Sequence, residues 1–205
     1  INYAIRNGLV RYEIHPFAYY RGLKADPKEN DISIDDIRLI RDSVPTSKGM
    51  IKARDIFMLS FYLGGINLID LISYDFRNTD EIEYIRNKTK NTKKSNRKIS
   101  FSIPPEARHI INRWMNPTNG HLDFHNSGSY TSFKNNTTRS IKHLAIALGI
   151  KKAEKVCYYS ARKSFVQIGF DLGIPLEVLE YCIGQSMKSD RPIYNYLKIM
   201  RRHAD

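Results

Sequence analysis

Helix start and stop signals recur along most of this chain and are interrupted once by two strand-like segments. Ser33, which is followed by two aspartates, is a typical N-cap, and glycine or proline ends most of the amphipathic segments. Residues 81–86 and 98–103 instead alternate polar and apolar side chains, which predicts a β-hairpin with a long basic tip. The pattern therefore predicts a mainly α fold with a small antiparallel β-sheet (α+β) and no internal repeat.

The predicted helices are nine in number and differ mainly in length. They cover residues 2–9, 33–44, 53–63, 67–72, 105–114, 138–148, 160–172, 175–183 and 193–202. Asn67 is predicted to cap the fourth of them, with Asp70 in the reciprocal position of a capping box.

The chain carries 33 Lys and Arg against 21 Asp and Glu, a net charge of +12. This excess favours a polyanionic partner, whether DNA, RNA or anionic lipid, and does not choose among them. No apolar run approaches the roughly 20 residues of a membrane span, and two cysteines are too few for a disulfide framework or a zinc site. We therefore expect a cytoplasmic protein without a metal, and interpret His121 and His125 as surface histidines of a loop.

The beginning of the chain differs in character from the rest. It starts at Ile1 with what resembles the end of a helix, and residues 12–30 are rich in Pro, Gly, charged and aromatic side chains. We expect residues 1–30 to be the end of one domain and a linker, residues 31–205 to form the principal domain, and the whole to be a fragment of a longer protein.

The most informative motif lies in the last quarter of the chain. Tyr159 precedes Arg162 by three positions at the start of a predicted helix, Gln185 follows Arg162 by 23 positions in the run Ile-Gly-Gln-Ser, and Tyr194 follows Gln185 by 9. This register resembles the signature of the tyrosine recombinases, or integrases, in which a His-x-x-Arg box, a Leu-Gly-His-Ser-like turn and a nucleophilic tyrosine succeed one another.

Three upstream segments extend the resemblance over essentially the whole chain. Residues 57–71 resemble the helix-turn-helix segment that carries the family's first catalytic arginine, a position held here by Asn67. Residues 84–89 are similar to the hairpin that delivers the catalytic lysine, which falls on Lys88. Residues 2–17 resemble the junction between core-binding and catalytic domains in integrases of conjugative transposons, which implies that residues 31–205 have the DNA breaking-rejoining fold of the catalytic domain.

The resemblance implies site-specific DNA recombination or integration, in a mobile genetic element, by cleavage and rejoining of strands through a 3′-phosphotyrosyl intermediate. Tyr194 would be the nucleophile, Arg162 a bidentate clamp on the phosphate and Lys88 the general acid for the leaving 5′ oxygen. No cofactor is implied. The implied partners are double-stranded DNA and further copies of the chain in a tetramer on DNA, without a membrane or a small-molecule substrate.

This chain departs from the family pattern at three positions: Asn67 replaces the first arginine, Tyr159 the box histidine, and Gln185 the following His or Trp. Tyr159 and Gln185 still donate hydrogen bonds, but a neutral phenol is a poor proton acceptor near pH 7. Arg86, two positions before Lys88 on the same strand face, is the hypothesised substitute for the missing clamp. The alternative is an ordinary strand arginine paired with Glu81 or Glu83.

Further candidates for DNA contact share only their positive charge and predicted positions on the hairpin tip or on a helix. They are Lys90, Lys93, Lys94, Arg97, Arg139 and Lys142. Each of these side chains faces either backbone phosphates or water. Likewise, Arg162 is alternatively a surface arginine near a helix N-terminus.

Three functions remain open on the sequence. The first is an active integrase, and the second is a catalytically degenerate recombinase domain that acts only in DNA binding or as a partner subunit. The third is an unrelated basic helical regulator, for which the register of Arg162, Gln185 and Tyr194 would be coincidence.

Overall fold

The computed structural model describes residues 2–11, 15, 19, 29–77, 79–87, 98–125 and 128–184. Most of the predicted linker, the hairpin tip with Lys88, and the C-terminal segment with Gln185, Tyr194 and the last predicted helix lie outside the described residues. The elements within these ranges are α1 Asn2–Arg6, α2 Ile34–Asp42, α3 Lys48–Tyr62, α4 Leu68–Ser73, β1 Glu81–Tyr84, β2 Ile99–Ser102, α5 Pro105–Trp114, α6 Tyr130–Ala147, α7 Tyr158–Asp171 and α8 Leu176–Cys182. The mainly α fold with one small antiparallel sheet is confirmed.

Helix α3 is the centre of the core. It packs against α2, α5, α6 and α7, and Ile56, Phe57 and Leu59 expose 1% of their surface or less. A helix that is apolar on most of its circumference must be covered on most sides. The other helices therefore surround it.

Two helices begin earlier than the sequence pattern predicted, because serine caps lie upstream of the apolar periodicity. α3 begins at Lys48, where the Oγ atom of Ser47 accepts a hydrogen bond from the backbone N–H of Met50 at 3.2 Å. α6 begins at Tyr130, where the Oγ atom of Ser129 accepts from the N–H of Ser132 at 3.2 Å. The capped first turns also carry apolar side chains that pack against the core, Met50 in α3 and Tyr130 and Phe133 in α6, so cap and burial act together at both beginnings.

The predicted hairpin forms, with β1 antiparallel to β2 and Tyr84 opposite Ile99. Ile82 and Tyr84 face the core on one side of β1, and Ile99 and Phe101 face it from β2. β1 ends at Tyr84, so Arg86 lies just beyond the strand. Helix α8 packs against β2, which brings its C-terminal end close to the end of β1.

The buried carboxylate of Asp55 on α3 binds side chains of α5, and its neighbour Arg54 binds the backbone at the end of α2. Asp55, which is 2% exposed, accepts hydrogen bonds from Arg54 at 2.9 Å, from Arg113 at 3.0 Å and from the Trp114 indole N–H at 2.8 Å. Arg54 also donates to the carbonyl oxygen of Ser43 at 2.8 Å. A buried charge requires such partners, so the cluster is structural.

No helix within the described ranges has both the length and the apolar content that crossing a membrane requires.

Candidate phosphate-binding site

Arg162 lies in the second turn of α7 and points into the protein. Its side chain is buried, with 3% of the residue exposed. The Nη1 atom donates to the carbonyl oxygen of Gly65 at 2.6 Å, and Nη2 donates to the carbonyl oxygen of Ile183. Arg162 is therefore not a surface arginine, and its guanidinium joins the turn after α3 to the end of α8.

Gly65 makes room for this arginine. The residue has a φ of +70°, and a Cβ atom at this position would lie 2.6 Å from the Cγ atom and 2.7 Å from the Cα atom of Arg162. Glycine is required here for its backbone conformation and for the close approach.

Arg86 reaches the same turn from the hairpin. Its Nη1 atom donates to the carbonyl oxygen of Gly184 at 2.8 Å, next to the carbonyl of Ile183 that Arg162 binds. These carbonyls lie at the C-terminal end of α8, where backbone acceptors lack helical partners and the helix dipole is negative. The two guanidiniums therefore converge on one short stretch of backbone.

The positive charge of Arg86 lies close enough to Arg162 to affect the pKa of the Arg162 guanidinium. Burial, and in second place the Arg86 charge, lowers the pKa of Arg162 from its ordinary value. Arginine nevertheless stays cationic in proteins, so two positive charges repel each other in a poorly solvated place. An anion between them would relieve that repulsion, and the fork of a guanidinium suits a phosphate.

Asn67 and Asp70 form a different contact from the predicted capping box. Asn67 is the N-cap of α4 but makes no capping bond with its side chain. Its Nδ2 atom instead donates to Oδ2 of Asp70 at 3.1 Å, while Oδ1 of Asp70 accepts from the backbone N–H of Asn87 at 2.9 Å. The capping-box prediction is wrong, because the carboxylate binds the chain just after β1 and the Asn67 amide follows it. Asp70 thereby holds α4 to the residue before Lys88.

Tyr159 lies at the mouth of the site. It is 46% exposed, and together with Arg162 and Ile183 it lines a groove of about 440 Å³ between α7 and α8. Tyr159 and Arg162 thus line the same groove. Arg139 and Lys142 lie one turn apart on α6, the first exposed and the second half-buried.

Two solved structures with a similar fold are recombinases. The integrase from mycobacterium phage Brujita aligns with a TM-score of 0.54 and 14% identity, covering 89% of this chain and 58% of that one. The XerH site-specific recombinase, in a pre-cleavage complex with its difH substrate, aligns with a TM-score of 0.55 and 13% identity, covering 82% of this chain and 50% of that one. The chain has the tyrosine recombinase fold. The sequence matches no protein-family model and no curated protein.

Within this tyrosine recombinase fold, Tyr159 and Arg162 lie on α7 and Asn67 is the N-cap of α4. Arg86 lies just beyond β1 and not within the strand, as had been hypothesised, because β1 ends at Tyr84. Lys88, Gln185 and Tyr194 lie outside the described residues, as do Lys90, Lys93, Lys94 and Arg97. The predicted surface histidines are each bonded to a backbone carbonyl: Nδ1 of His121 to Tyr74 at 3.0 Å, and Nε2 of His125 to Gly128 at 3.1 Å. No cluster of three His, Cys, Asp or Glu suited to a metal occurs in the described part of the chain.

Sequence reasoning missed two phenols near the arginines, one partly buried and one buried. The hydroxyl of Tyr158, the first residue of α7, donates to the carbonyl oxygen of Ile66 at 2.6 Å. Tyr84 ends β1, two positions before Arg86, and is 9% exposed. The one signal available was strand alternation, which puts Tyr84 and Arg86 on the same face.

Proposed function

We propose that residues 31–205 are the catalytic domain of a site-specific tyrosine recombinase and that residues 1–30 are the end of a core-binding domain and its linker. The observation that carries the proposal is the pair of guanidiniums, Arg162 and Arg86, bonded to the adjacent carbonyls of Ile183 and Gly184. Their partly desolvated positive charge, within a tyrosine recombinase fold, suits the negative charge of a phosphate that is being cleaved.

In the proposed reaction the phenol oxygen of Tyr194 attacks a DNA phosphorus and releases its proton to solvent water, and the bond from phosphorus to the 5′ oxygen breaks. Lys88 supplies the proton that the 5′ oxygen takes up. Arg162 and Arg86 hold the non-bridging oxygens, and Tyr159 and Gln185 donate further hydrogen bonds. The 3′-phosphotyrosyl bond preserves the energy of the broken one, so a 5′-hydroxyl from another strand reverses the step without ATP.

Double-stranded DNA is the proposed partner, bound by a tetramer of the chain. The net charge of +12 and the positions of Arg139 and Lys142 on α6 support contact with backbone phosphates. Such contacts fix position on the duplex and carry little sequence information. Sequence preference would then reside largely in the domains preceding this one.

One observation favours a second candidate, a degenerate recombinase domain that binds DNA without cutting it. The Asn67 side chain, at the position of the family's first arginine, gives its amide to Asp70. In addition, Tyr159 replaces a histidine, and a phenol is a poor base near neutral pH. Tyr194 would then lack a partner to take its proton.

A nicked suicide substrate separates the two candidates. The chain is incubated with a pool of nicked duplexes, randomised around the nick, so that cleavage releases a short fragment and traps the protein on the 3′ phosphate. A covalent complex that resists denaturant, and that Tyr194→Phe does not form, supports cleavage. Binding without a trapped complex supports the degenerate domain, whereas an affinity that is equal at low and high salt contradicts the DNA partner itself.

A further inference from the structure

The last residue of β1 carries a buried hydroxyl that the proposed mechanism does not use. We infer that the phenol of Tyr84 donates a hydrogen bond to the same phosphate that Arg162 and Arg86 bind, as a third, neutral contact. This inference rests on the proposed function of the site. It starts from one observation: the Tyr84 hydroxyl oxygen is buried and has no hydrogen-bond partner among the described residues.

The other phenols around the sheet show how unusual this is. The hydroxyl of Tyr158 donates to Ile66, that of Tyr181 both accepts from the N–H of Ser100 and donates to its carbonyl, and that of Tyr74 accepts from the N–H of Glu83 at 3.0 Å. A buried polar group left without a partner costs about 1–3 kcal/mol, and proteins seldom retain one without a reason.

The surroundings of the Tyr84 hydroxyl indicate which ligand it suits. Burial raises the pKa of Tyr84, the Asp70 carboxylate raises it further, and the guanidiniums of Arg162 and Arg86 act in the opposite direction. The hydroxyl therefore lies within electrostatic reach of all three groups, and it keeps its proton at physiological pH. Because the Tyr84 hydroxyl makes no hydrogen bond to Asp70 or to any other described residue, the expected acceptor is an anion held by the arginines.

A neutral donor also fits the departure at Asn67. The position of the family's first catalytic arginine holds the amide of Asn67 here, and that amide is bonded to Asp70. A phosphate held by Arg162 and Arg86 has several non-bridging lone pairs, which two guanidiniums and one phenol can share. Tyr84 would add a hydrogen bond without adding another charge to a place that already holds two cations.

Tyr84→Phe tests the inference because it removes only the hydroxyl. We expect the unfolding temperature to stay the same or rise, since no protein hydrogen bond is lost. Covalent-complex formation on the nicked substrate should slow by about 100-fold, the order of effect for removing one preorganised donor. The Kd for duplex DNA should rise with an unchanged slope of log Kd against log salt, because a neutral donor releases no counterion.

Tyr74→Phe is the matched control. It loses a phenol hydroxyl that accepts a backbone N–H away from the arginines, so it should unfold at a lower temperature while its DNA affinity stays native. A lower unfolding temperature in Tyr84→Phe would mean that its hydroxyl has a structural partner, which would overturn the inference.

The outcomes also distinguish this inference from the proposed function. If the native chain forms the covalent complex and Tyr84→Phe forms it at the native rate, the inference fails and the proposed function stands. If the native chain forms no covalent complex, the cleavage proposal fails and the affinity decides. Weaker binding by Tyr84→Phe at an unchanged salt slope then supports the phosphate contact, and equal binding overturns it.

Discussion

Arg162 and Arg86 donate hydrogen bonds to adjacent backbone carbonyls, those of Ile183 and Gly184. One arginine comes from α7 and the other from the end of the hairpin, and the turn after α8 holds both. Gly184 is suited to this place because it has a φ of +61° and a Cβ atom there would lie 2.6 Å from Cδ of Arg86. Any movement of this turn would therefore displace both guanidiniums together.

Replacing Arg86 by alanine should impair DNA cleavage if this arginine substitutes for the missing clamp at Asn67. We expect covalent-complex formation on the nicked substrate to fall by at least about 100-fold, the order of effect for removing one preorganised hydrogen-bond donor. The slope of log Kd against log salt should decrease by about one, since one cation fewer faces a phosphate. Arg86→Lys should retain the salt slope and only part of the cleavage rate, because an ammonium lacks the bidentate fork.

Arg162→Ala is the comparison for this prediction. It should abolish covalent-complex formation, and its folding must be checked by urea denaturation because it leaves the carbonyls of Gly65 and Ile183 without a buried donor. If Arg86→Ala cleaves at the native rate while folded Arg162→Ala does not cleave, Arg86 is not a clamp.

Gly65→Ala should destabilise the protein through a clash with Arg162. The added Cβ would lie 2.6 Å from Cγ of Arg162 in a residue with a φ of +70°. We expect a loss of about 2–4 kcal/mol in the free energy of unfolding, from left-handed backbone strain and overpacking together. Gly173→Ala isolates the first contribution, because Gly173 has a φ of +79° and no atom within 4 Å of the added Cβ. Equal losses in the two variants, measured by urea unfolding, would contradict the close approach.

The phenol of Tyr158 should cause the free energy of unfolding to fall as the pH rises into the alkaline range. Burial raises the pKa of its phenol above the ordinary value, so above about pH 10 the unfolded chain releases a proton that the folded chain keeps. The contribution to stability is thus fully present below pH 10 and is lost as the pH rises beyond it. In Tyr158→Phe the fall above pH 10 should be shallower, while stability at pH 7 drops by about 1 kcal/mol with the bond to Ile66. Urea unfolding at a series of pH values measures both, and an unchanged alkaline slope would contradict the buried phenol.

Asp55→Ala should be the most damaging of these substitutions away from the candidate site. It leaves Arg54, Arg113 and the Trp114 indole without their shared acceptor, and breaking a buried pair costs about 3–5 kcal/mol. The control is Asp42→Ala, which removes an exposed carboxylate paired with Arg41 and should change stability little. Similar urea midpoints for the two variants would mean that the Asp55 cluster does not hold α5 to α3.

The predictions that the structure confirmed concern local features. Ser33 caps α2 as its position before two aspartates predicted, and the alternation in residues 81–86 and 98–103 predicted the paired strands. The errors at the beginnings of α3 and α6 arose because both helices begin at serine caps, Ser47 and Ser129, that the apolar pattern did not indicate. The capping box at Asn67 failed because a distant backbone group, the N–H of Asn87, takes an oxygen of Asp70.

The order of helices and strands, the positive charge and the register of Tyr159, Arg162, Gln185 and Tyr194 follow from the amino-acid sequence, because they depend on composition and on spacing along the chain. That Arg162 is buried and that Arg86 meets it at one turn became visible in the folded molecule alone. Those hydrogen bonds join residues 97 and 98 positions apart, and the direction of a long side chain depends on what packs around it. Local propensity contains no information about such a neighbour, so the convergence of two cations required the fold.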